Sequence, residues 1–350
     1  MKKNYSIFIL FIAVFLLSCK DELTPLAAAE PEVTVENGML SFSSMENFNK
    51  VFADVTEKDN SYLDNWEGSL GFTSLRSIFN QVVKAENEFS DNLSKIHGEN
   101  AVLSREKFGY TEVTNKNKEI LIFMEDGSFD LDVTTFGHSY ILNAEGLVKI
   151  GGKIYNFTKD YVKVLGSNSF KSFSHLKTIT CSDESANIFV SDVQRETNIL
   201  FESHNQKTNE IVKTCIATNN KDRLIVYEDY VYYAQGGTPC YVYSHNYLIK
   251  LRNLKKNIFG SWVNSETGSM RITGKLRIDQ TKKVDDFGYV FDKVIVDVPN
   301  IDWPFDYGHT GEKYYMRNYP VCFPANLIRL AVHDITGYGR NWTSCRVGDF

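Results

Sequence analysis

The chain has 350 residues, of which 43% are hydrophobic and 23% charged, and its formal net charge is −6. This composition is typical of a folded protein, and the length leaves room for two or three domains. Lysine and arginine do not form blocks longer than three residues. Binding to the phosphates of a nucleic acid needs clustered positive charge, so nucleic acid is not an expected partner.

The N-terminus has the features of an export signal. Lys2-Lys3 precedes an apolar run over residues 7–17, which is followed by a serine and a cysteine. A secretory signal peptide typically has a positively charged start, an apolar stretch of about 7–15 residues and a small residue before the cleavage site. The run is shorter than the roughly 20 residues that a membrane-spanning helix needs. Leu16-Leu17-Ser18-Cys19 resembles a bacterial lipobox, which implies that residues 1–18 are removed and that Cys19 is lipidated.

The segment that follows Cys19 is predicted to be a tether. Lys20-Asp21-Glu22 resembles the acidic export tag of Bacteroidota lipoproteins, which implies an outer-membrane lipoprotein exposed on the cell surface rather than one facing the periplasm. The tether is expected to cover residues 19–38, since this part is rich in proline and alanine and has no apolar period. Two or three acyl chains, as are usual in bacterial lipoproteins, would anchor the protein to the membrane stably.

The part of the chain after the tether predicts a small helical unit. Ser43 and Glu46 fit a capping box at the start of a first helix. A longer helix is predicted to begin at a cap formed by Thr73 or Ser74 and to run to about His97. Its apolar positions recur at helical spacing and predict one buried face. They are Leu75, Ile78, Phe79, Val82, Val83, Phe89, Leu93 and Ile96.

From about residue 110 the hydrophobic pattern changes to a period of two. Short apolar runs separated by turn residues such as Asp126-Gly127 predict an antiparallel β-meander, with one strand expected at Ser139–Leu142. Further strands at regular spacing are typical of a sandwich or barrel. The sequence therefore predicts an α+β fold, with the helical unit and meander over residues 39–165 and a β-sandwich-like C-terminal domain over residues 166–350.

Three stretches of the N-terminal half resemble a family of lipoproteins from gut and oral Bacteroidota, the domain of unknown function 4848 family. They are Glu36–Ser44, Trp66–Arg76 and Leu142–Phe157. These stretches are made of helix caps and turns rather than catalytic motifs. The resemblance therefore implies a lipoprotein of the cell envelope and implies no activity.

Five cysteines follow Cys19, all in the second half of the chain: Cys181, Cys215, Cys240, Cys322 and Cys345. In an oxidising compartment this odd number allows at most two disulfides and leaves one free thiol. Cys322 and Cys345 are the expected pair because they lie in a compact C-terminal segment that predicts a hairpin. Cys181 with Cys215 is a second possibility, and buried free thiols are the alternative to both.

Known catalytic and metal-binding motifs are missing from the sequence. It contains no HExxH, no GxSxG, no GxxxxGK[ST] and no GxGxxG. The two nearest of its seven histidines, His309 and His333, are 24 residues apart. We therefore expect no cofactor, no metal site and no catalytic residue, and a non-enzymatic protein is favoured over an enzyme.

The best candidate for a functional site is an aromatic-rich stretch at residues 300–320, which its turn residues predict to be a loop. Its rings could stack on sugars, and its polar groups could bind hydroxyls. The alternative is that the rings pack onto the β core. The candidate ligand-binding residues are Trp303, Tyr307, His309, Tyr314 and Tyr315.

These observations favour an exported lipoprotein, attached to the membrane through its N-terminal lipid, that serves as a non-enzymatic binding or structural surface module. Its ligand would be a glycan or a protein. Two alternatives are left open by the sequence. One is an extracytoplasmic hydrolase that acts on carbohydrate or peptide, and the other is a subunit of an envelope or pilus-like assembly.

Overall fold

The fold was analysed in a computed structural model. It describes residues 33–56, 58–166, 173–202, 222–234, 242–264, 269–280, 294–306, 311–320, 329–338 and 344–347. The predicted signal peptide, Cys19 and residues 20–32 of the predicted tether therefore lie outside the described residues. The predicted end of the tether at residue 38 is wrong, because Thr34–Glu36 is a strand that pairs with residues 39–41. Within these ranges, none of the helices combines the length and the apolar character that crossing a bilayer requires.

The N-terminal part of the described chain is helical, as predicted. Its first three helices are α1 (Met45–Thr56), α2 (Asn60–Leu70) and α3 (Leu75–His97), followed by the short α4 (Arg105–Phe108) and α5 (Glu112–Lys116). The bounds predicted for α3 are confirmed. Ser74 is its cap, since its Oγ accepts a hydrogen bond from the backbone N of Ser77 at 3.1 Å.

The start of α1 differs from the prediction by one residue. Ser44 caps this helix, because its Oγ accepts a hydrogen bond from the backbone N of Asn47 at 3.1 Å. A capping box needs its acidic residue three positions after the cap. Glu46 is only two positions after Ser44, so the predicted box of Ser43 with Glu46 is wrong.

The helices pack on a six-stranded sheet with the strand order β1-β2-β5-β6-β7-β8. Its pairs are antiparallel except β2 with β5, and β3 and β4 form a separate hairpin around Gly127. A further helix, α6 (Phe173–Thr178), precedes the last strand of the sheet. The strands are β1 (Thr34–Glu36), β2 (Met39–Phe42), β3 (Leu121–Phe123), β4 (Phe129–Leu131), β5 (Leu147–Ile150), β6 (Lys153–Phe157), β7 (Tyr161–Leu165) and β8 (Ile188–Asp192).

The strand predicted at Ser139–Leu142 is wrong. This segment overlaps a 3-10 helix over Phe136–Tyr140, in which Ser139 Oγ donates a hydrogen bond to the carbonyl oxygen of Phe136. Every residue of that 3-10 helix is buried. A short run that is buried on all sides has no clear period, so its pattern does not distinguish a strand from a helical turn.

The second half of the chain supplies nine antiparallel strands within the described ranges. One sheet has the order β12-β11-β10-β9 with β15 also paired to β11, and another has the order β14-β13-β16-β17. A helical region followed by strands in sheets is thus confirmed. The strands are β9 (Gln194–Glu202), β10 (Asp222–Ala234), β11 (Val242–Lys256), β12 (Trp262–Asn264), β13 (Ser269–Gln280), β14 (Val294–Asp306), β15 (Gly311–Pro320), β16 (Arg329–Tyr338) and β17 (Ser344–Val347).

The main hydrophobic core lies between the helices and the six-stranded sheet. One face of α1 is apolar and is buried there, with Phe48 and Phe52 as its largest side chains. Four of the eight predicted stripe positions of α3 are buried, namely Leu75, Phe79, Val82 and Leu93, and Ile78, Val83 and Phe89 are partly buried. Ile96, however, is 74% exposed. The predicted core position of Ile96 is therefore wrong, because the last turn of α3 extends beyond the core.

A buried charge cluster joins α2 to α3. Arg76 is 1% exposed and donates from Nε and Nη2 to Glu67 Oε1, at 3.1 and 2.8 Å. It also donates to Asp64 Oδ1 at 2.5 Å and to Asn60 Oδ1 at 3.0 Å. Although burial disfavours the charged form, the hydrogen bonds to the two carboxylates raise the pKa of Arg76. Ser74 Oγ donates to Glu67 at 2.7 Å, so the cap of α3 belongs to the same cluster.

His138 joins the 3-10 helix to strand β10 through a buried polar contact. Its ring centroid lies 4.8 Å from that of Phe52 and 4.5 Å from that of Phe157. Its Nδ1 lies 2.6 Å from Thr135 Oγ1, and its Nε2 lies 3.1 Å from the hydroxyl of Tyr233. Complete burial lowers the pKa of His138 to about 3, so the ring is neutral at neutral pH.

This burial predicts an acid-sensitive fold. Between about pH 6.5, where an unfolded histidine titrates, and about pH 3, the unfolded chain binds a proton that the folded chain does not. The free energy of unfolding should therefore decrease as the pH falls through this window. Urea titrations of the wild type at about pH 7 and about pH 4.5 should differ by up to roughly 2.5 kcal/mol through this one group.

His138→Phe should remove most of that pH-dependent difference. Leu63→Ala is the matched control, because Leu63 is buried in the same core and is neither titratable nor among the rings against His138, so this variant should keep the wild-type pH dependence. Equal pH dependence in His138→Phe and Leu63→Ala would show that His138 does not cause the acid sensitivity.

Candidate binding surface

The structure places three of the five predicted ligand-binding residues in strands. Trp303 lies in β14, and Tyr314 and Tyr315 lie in β15, in another sheet. Tyr307 and His309 lie outside the described residues. The loop predicted for residues 300–320 is therefore wrong at positions 300–306 and 311–320. The prediction failed because prolines, which are typical of turns, also occur in edge strands such as β14.

The predicted disulfides fall mainly on undescribed positions. Cys345 lies in β17, whereas Cys322, its expected partner, lies outside the described residues. That pairing stays a prediction. The thiol of Cys181 is free and exposed, and Cys215 lies outside the described residues, so the alternative pairing of these two also stays a prediction.

A polar cleft of about 220 Å³ lies where the C-terminal half of α3 meets the turn between β11 and β12. The loop that follows α3 forms a third wall. The residues that line the cleft are Ser90, Asp91, Ser94, Glu99, Asn100, Ala101, Val102, Lys255, Lys256, Asn257, Ile258 and Gly260.

The β11–β12 turn owes its shape to an asparagine and a glycine. Asn257 Oδ1 accepts hydrogen bonds from the backbone N of Phe259 and of Ser261, both at 3.0 Å. Gly260 has a φ of 80°, which glycine adopts without strain. The backbone N of Gly260 also donates to the carbonyl oxygen of Asn257 at 3.0 Å. The turn is therefore closed by its own hydrogen bonds, and it presents Phe259 at its tip.

Arg105 holds this turn against the helical unit. The Cζ atom of its guanidinium lies 3.7 Å from the ring centroid of Phe259 and 4.5 Å from that of Tyr110. Its Nη1 donates to Glu86 Oε2 at 2.8 Å and to the carbonyl oxygen of Gly109 at 2.9 Å. A partly desolvated cation–π contact stabilises by about 1–2 kcal/mol. The Arg105 side chain thus joins α3, the loop after α4 and the β11–β12 turn.

Two further hydrogen bonds, both accepted by backbone carbonyl oxygens, stabilise the same junction. The backbone N of Leu103 donates to the carbonyl oxygen of Ile258 at 2.8 Å, and Ser261 Oγ donates to the carbonyl oxygen of Asp126. Ile258 and Phe259 pack with Leu93 in a separate apolar cluster. Because these contacts hold the walls together, the cleft exists before any ligand binds, which reduces the cost of ordering on binding.

The cleft carries charges of both signs. Asp91 and Glu99 lie on the helix and loop walls, and Lys255 and Lys256 lie on the strand wall. Lys255 Nζ is 4.0 Å from Asp91 Oδ1. An exposed ion pair at this distance contributes about 0–1 kcal/mol, so a ligand can replace it at small cost.

Two aliphatic side chains beside this cleft are unusually exposed. Ile96 is 74% exposed and Val102, which lines the cleft, is 77% exposed. Isolated exposed apolar residues are ordinary on protein surfaces. Here both belong to the segment that forms two walls of a preformed cavity, so they offer apolar contacts next to charged groups.

The chemistry of the cleft limits what can bind there. A volume of about 220 Å³ is below the range of about 300–1,000 Å³ that is usual for small-molecule and cofactor sites. Its lining contains no aromatic ring that could stack on a sugar. Across the described ranges, the histidine, cysteine and acidic side chains form no group of three suited to a metal ion. The cleft therefore suits side chains of a protein ligand better than a cofactor or a glycan.

Sequence reasoning missed this cleft because its walls come from residues 90–102 and 255–260, which are distant in the chain. Two features of the sequence near these walls could be recognised, namely the turn from Asn257 to Gly260 and the end of α3 at His97. Each predicts local structure, and neither predicts that the two segments meet.

Comparisons with known proteins give little functional information. No protein-family model matches the chain, and no curated protein matches it. Among solved structures, it matches a crystal structure of a DUF4848 family protein from Bacteroides thetaiotaomicron at 15% sequence identity, with a TM-score of 0.29. The match covers 90% of this chain and 98% of that chain. That protein belongs to the family that the sequence resembles, and such a match supports no statement about ligand or activity.

Proposed function

We propose that this protein is a lipoprotein of the outer membrane, anchored through Cys19 and exposed on the cell surface. The lipobox-like Leu16-Leu17-Ser18-Cys19 and the acidic residues after it support this proposal. The described body begins near β1 at Thr34, which leaves residues 19–32 as the connection to the anchor. We also propose that the two sheets of the C-terminal half, β9–β12 with β15 and β13–β14 with β16–β17, pack face to face as a sandwich.

We further propose that the folded body is a non-enzymatic binding module for a protein ligand. The observation that carries this proposal is the exposure of Ile96 and Val102 beside a preformed cleft with both signs of charge. Protein interfaces combine apolar contacts at the centre with charged groups that orient the partner. The cleft, with Val102 next to Asp91 and Lys255 in its lining and Ile96 on the helix that forms one wall, has this combination.

A glycan ligand is the competing proposal. It would use the aromatic positions in and between β14 and β15, where rings could stack on sugars. These positions are Trp303, Tyr307, His309, Tyr314 and Tyr315.

A hydrolase and an assembly subunit are the two other possibilities, and no contact among the described residues favours either.

The anchor is tested by metabolic labelling with a palmitate analogue in the native host. The wild-type protein should take up label, and Cys19→Ala should lose it and release the body from the membrane. Cys181→Ala is the matched control, because it removes an exposed thiol and leaves the lipobox unchanged. Labelling that persists in Cys19→Ala would refute lipidation at this residue.

Surface exposure is tested by protease treatment of intact cells. A surface lipoprotein should be cleaved on intact cells, while a periplasmic marker stays whole. Protection on intact cells together with cleavage after lysis would place the protein on the other side of the membrane.

The binding site is tested with the secreted Cys19→Ala protein on arrays of extracellular proteins and glycans. Ile96→Ser combined with Val102→Ser should weaken binding to a protein ligand roughly 100-fold, because burying these two aliphatic side chains in an interface would contribute about 1.5 kcal/mol each. Tyr62→Ser is the control, since Tyr62 is also exposed but lies on α2 and does not line the cleft. Undiminished protein binding by the double variant, or glycan binding that only Trp303→Ala removes, would contradict the protein-ligand proposal.

A further inference from the structure

A second, much smaller cavity lies at the same junction and is distinct from the cleft. Its volume is about 30 Å³. Its polar wall includes Glu86 and Asn87 of α3, Arg105 of α4, and Asn257 and Trp262 at the β11–β12 turn. It therefore lies between the helical unit and the second half of the chain.

Two polar groups that line this cavity have no hydrogen-bond partner within the protein. Asn87 is only 7% exposed, and its Nδ2 is buried without a partner. The Nε of Arg105 is buried without a partner too, although the Nη1 of the same guanidinium is fully engaged. A buried donor that stays unsatisfied costs about 1–3 kcal/mol, and more than about 90% of buried polar groups in proteins are paired.

The chemistry of these two groups defines the ligand. Both are donors, so the occupant must supply an acceptor. The cavity can hold one or two water molecules, since one needs about 10–15 Å³, and it is too small for an organic ligand. An anion is disfavoured because the Glu86 carboxylate lines the same cavity and already pairs with Arg105.

We propose that this cavity is an internal water site, in which a bound water accepts hydrogen bonds from Asn87 Nδ2 and Arg105 Nε. The water satisfies donors that the protein leaves unpaired. It also fills the space between α3 and the β11–β12 turn, so it forms part of the junction that shapes the cleft. This inference does not depend on the proposed ligand.

A high-resolution crystal structure of the protein tests the proposal directly. Water density should lie within about 2.7–3.2 Å of Asn87 Nδ2 and of Arg105 Nε. A cavity without water density, or one closed by the Asn87 amide bonding to protein, would overturn the proposal.

Magnetic relaxation dispersion of water nuclei provides a second test, because it counts internal waters with long residence times. Asn87→Leu should remove about one long-lived water, since leucine fills the space and removes a donor. Asn80→Leu is the matched control. Asn80 is on the same helix and has a buried, unpartnered amide oxygen, but it does not line this cavity. Equal counts in the wild type and in Asn87→Leu would contradict the proposal. If Asn87→Leu does not fold, the crystal structure of the wild type decides alone.

Discussion

The Glu86 carboxylate is the group on which the junction between the helices and the β11–β12 turn depends. It is 5% exposed, and a buried charge is tolerated only when it is paired and hydrogen-bonded. Its Oε1 accepts from the backbone N of Thr111 at 2.7 Å and from Thr114 Oγ1 at 2.6 Å, and its Oε2 accepts from Arg105. Satisfying this one carboxylate fixes the positions of α4 and α5 on α3. It also orients the guanidinium on which Phe259 packs.

The cleft and the proposed water site follow from this arrangement. The Nη1 of Arg105 donates to Glu86, and one face of the guanidinium packs on the Phe259 ring. Its Nε has no acceptor within the protein. The turn that Arg105 holds brings Lys255 and Asn257 to the end of α3, where Asp91 and Ser94 form the opposite wall. The buried cluster of Glu86 and Arg105 thus holds the walls of the cleft in place, and the cleft presents charged and aliphatic groups next to each other.

The sequence predicted those parts of the fold that local chemistry determines. The Ser74 cap and the apolar period identified α3, and Asp126-Gly127 identified the β3–β4 hairpin. Predictions failed where tertiary context decides. Ile96 follows the helical period but lies past the core, and Ser139 lies in a run that is buried on all sides. The cleft was not predictable, because its walls are far apart in the chain and meet only through tertiary contacts such as those of Arg105 and of Leu103 with Ile258.

Hydrogen–deuterium exchange of the wild type and of Arg105→Met is the most direct measurement of this junction. If Arg105 joins the two parts, exchange in Arg105→Met should be faster both in residues 254–264 and in the C-terminal half of α3, because both lose a common support. The exchange of β6 and β7 in the six-stranded sheet should stay as in the wild type. Faster exchange confined to residues 105–110, with residues 254–264 unchanged, would show that the turn is held by other contacts and would contradict this central role of Arg105.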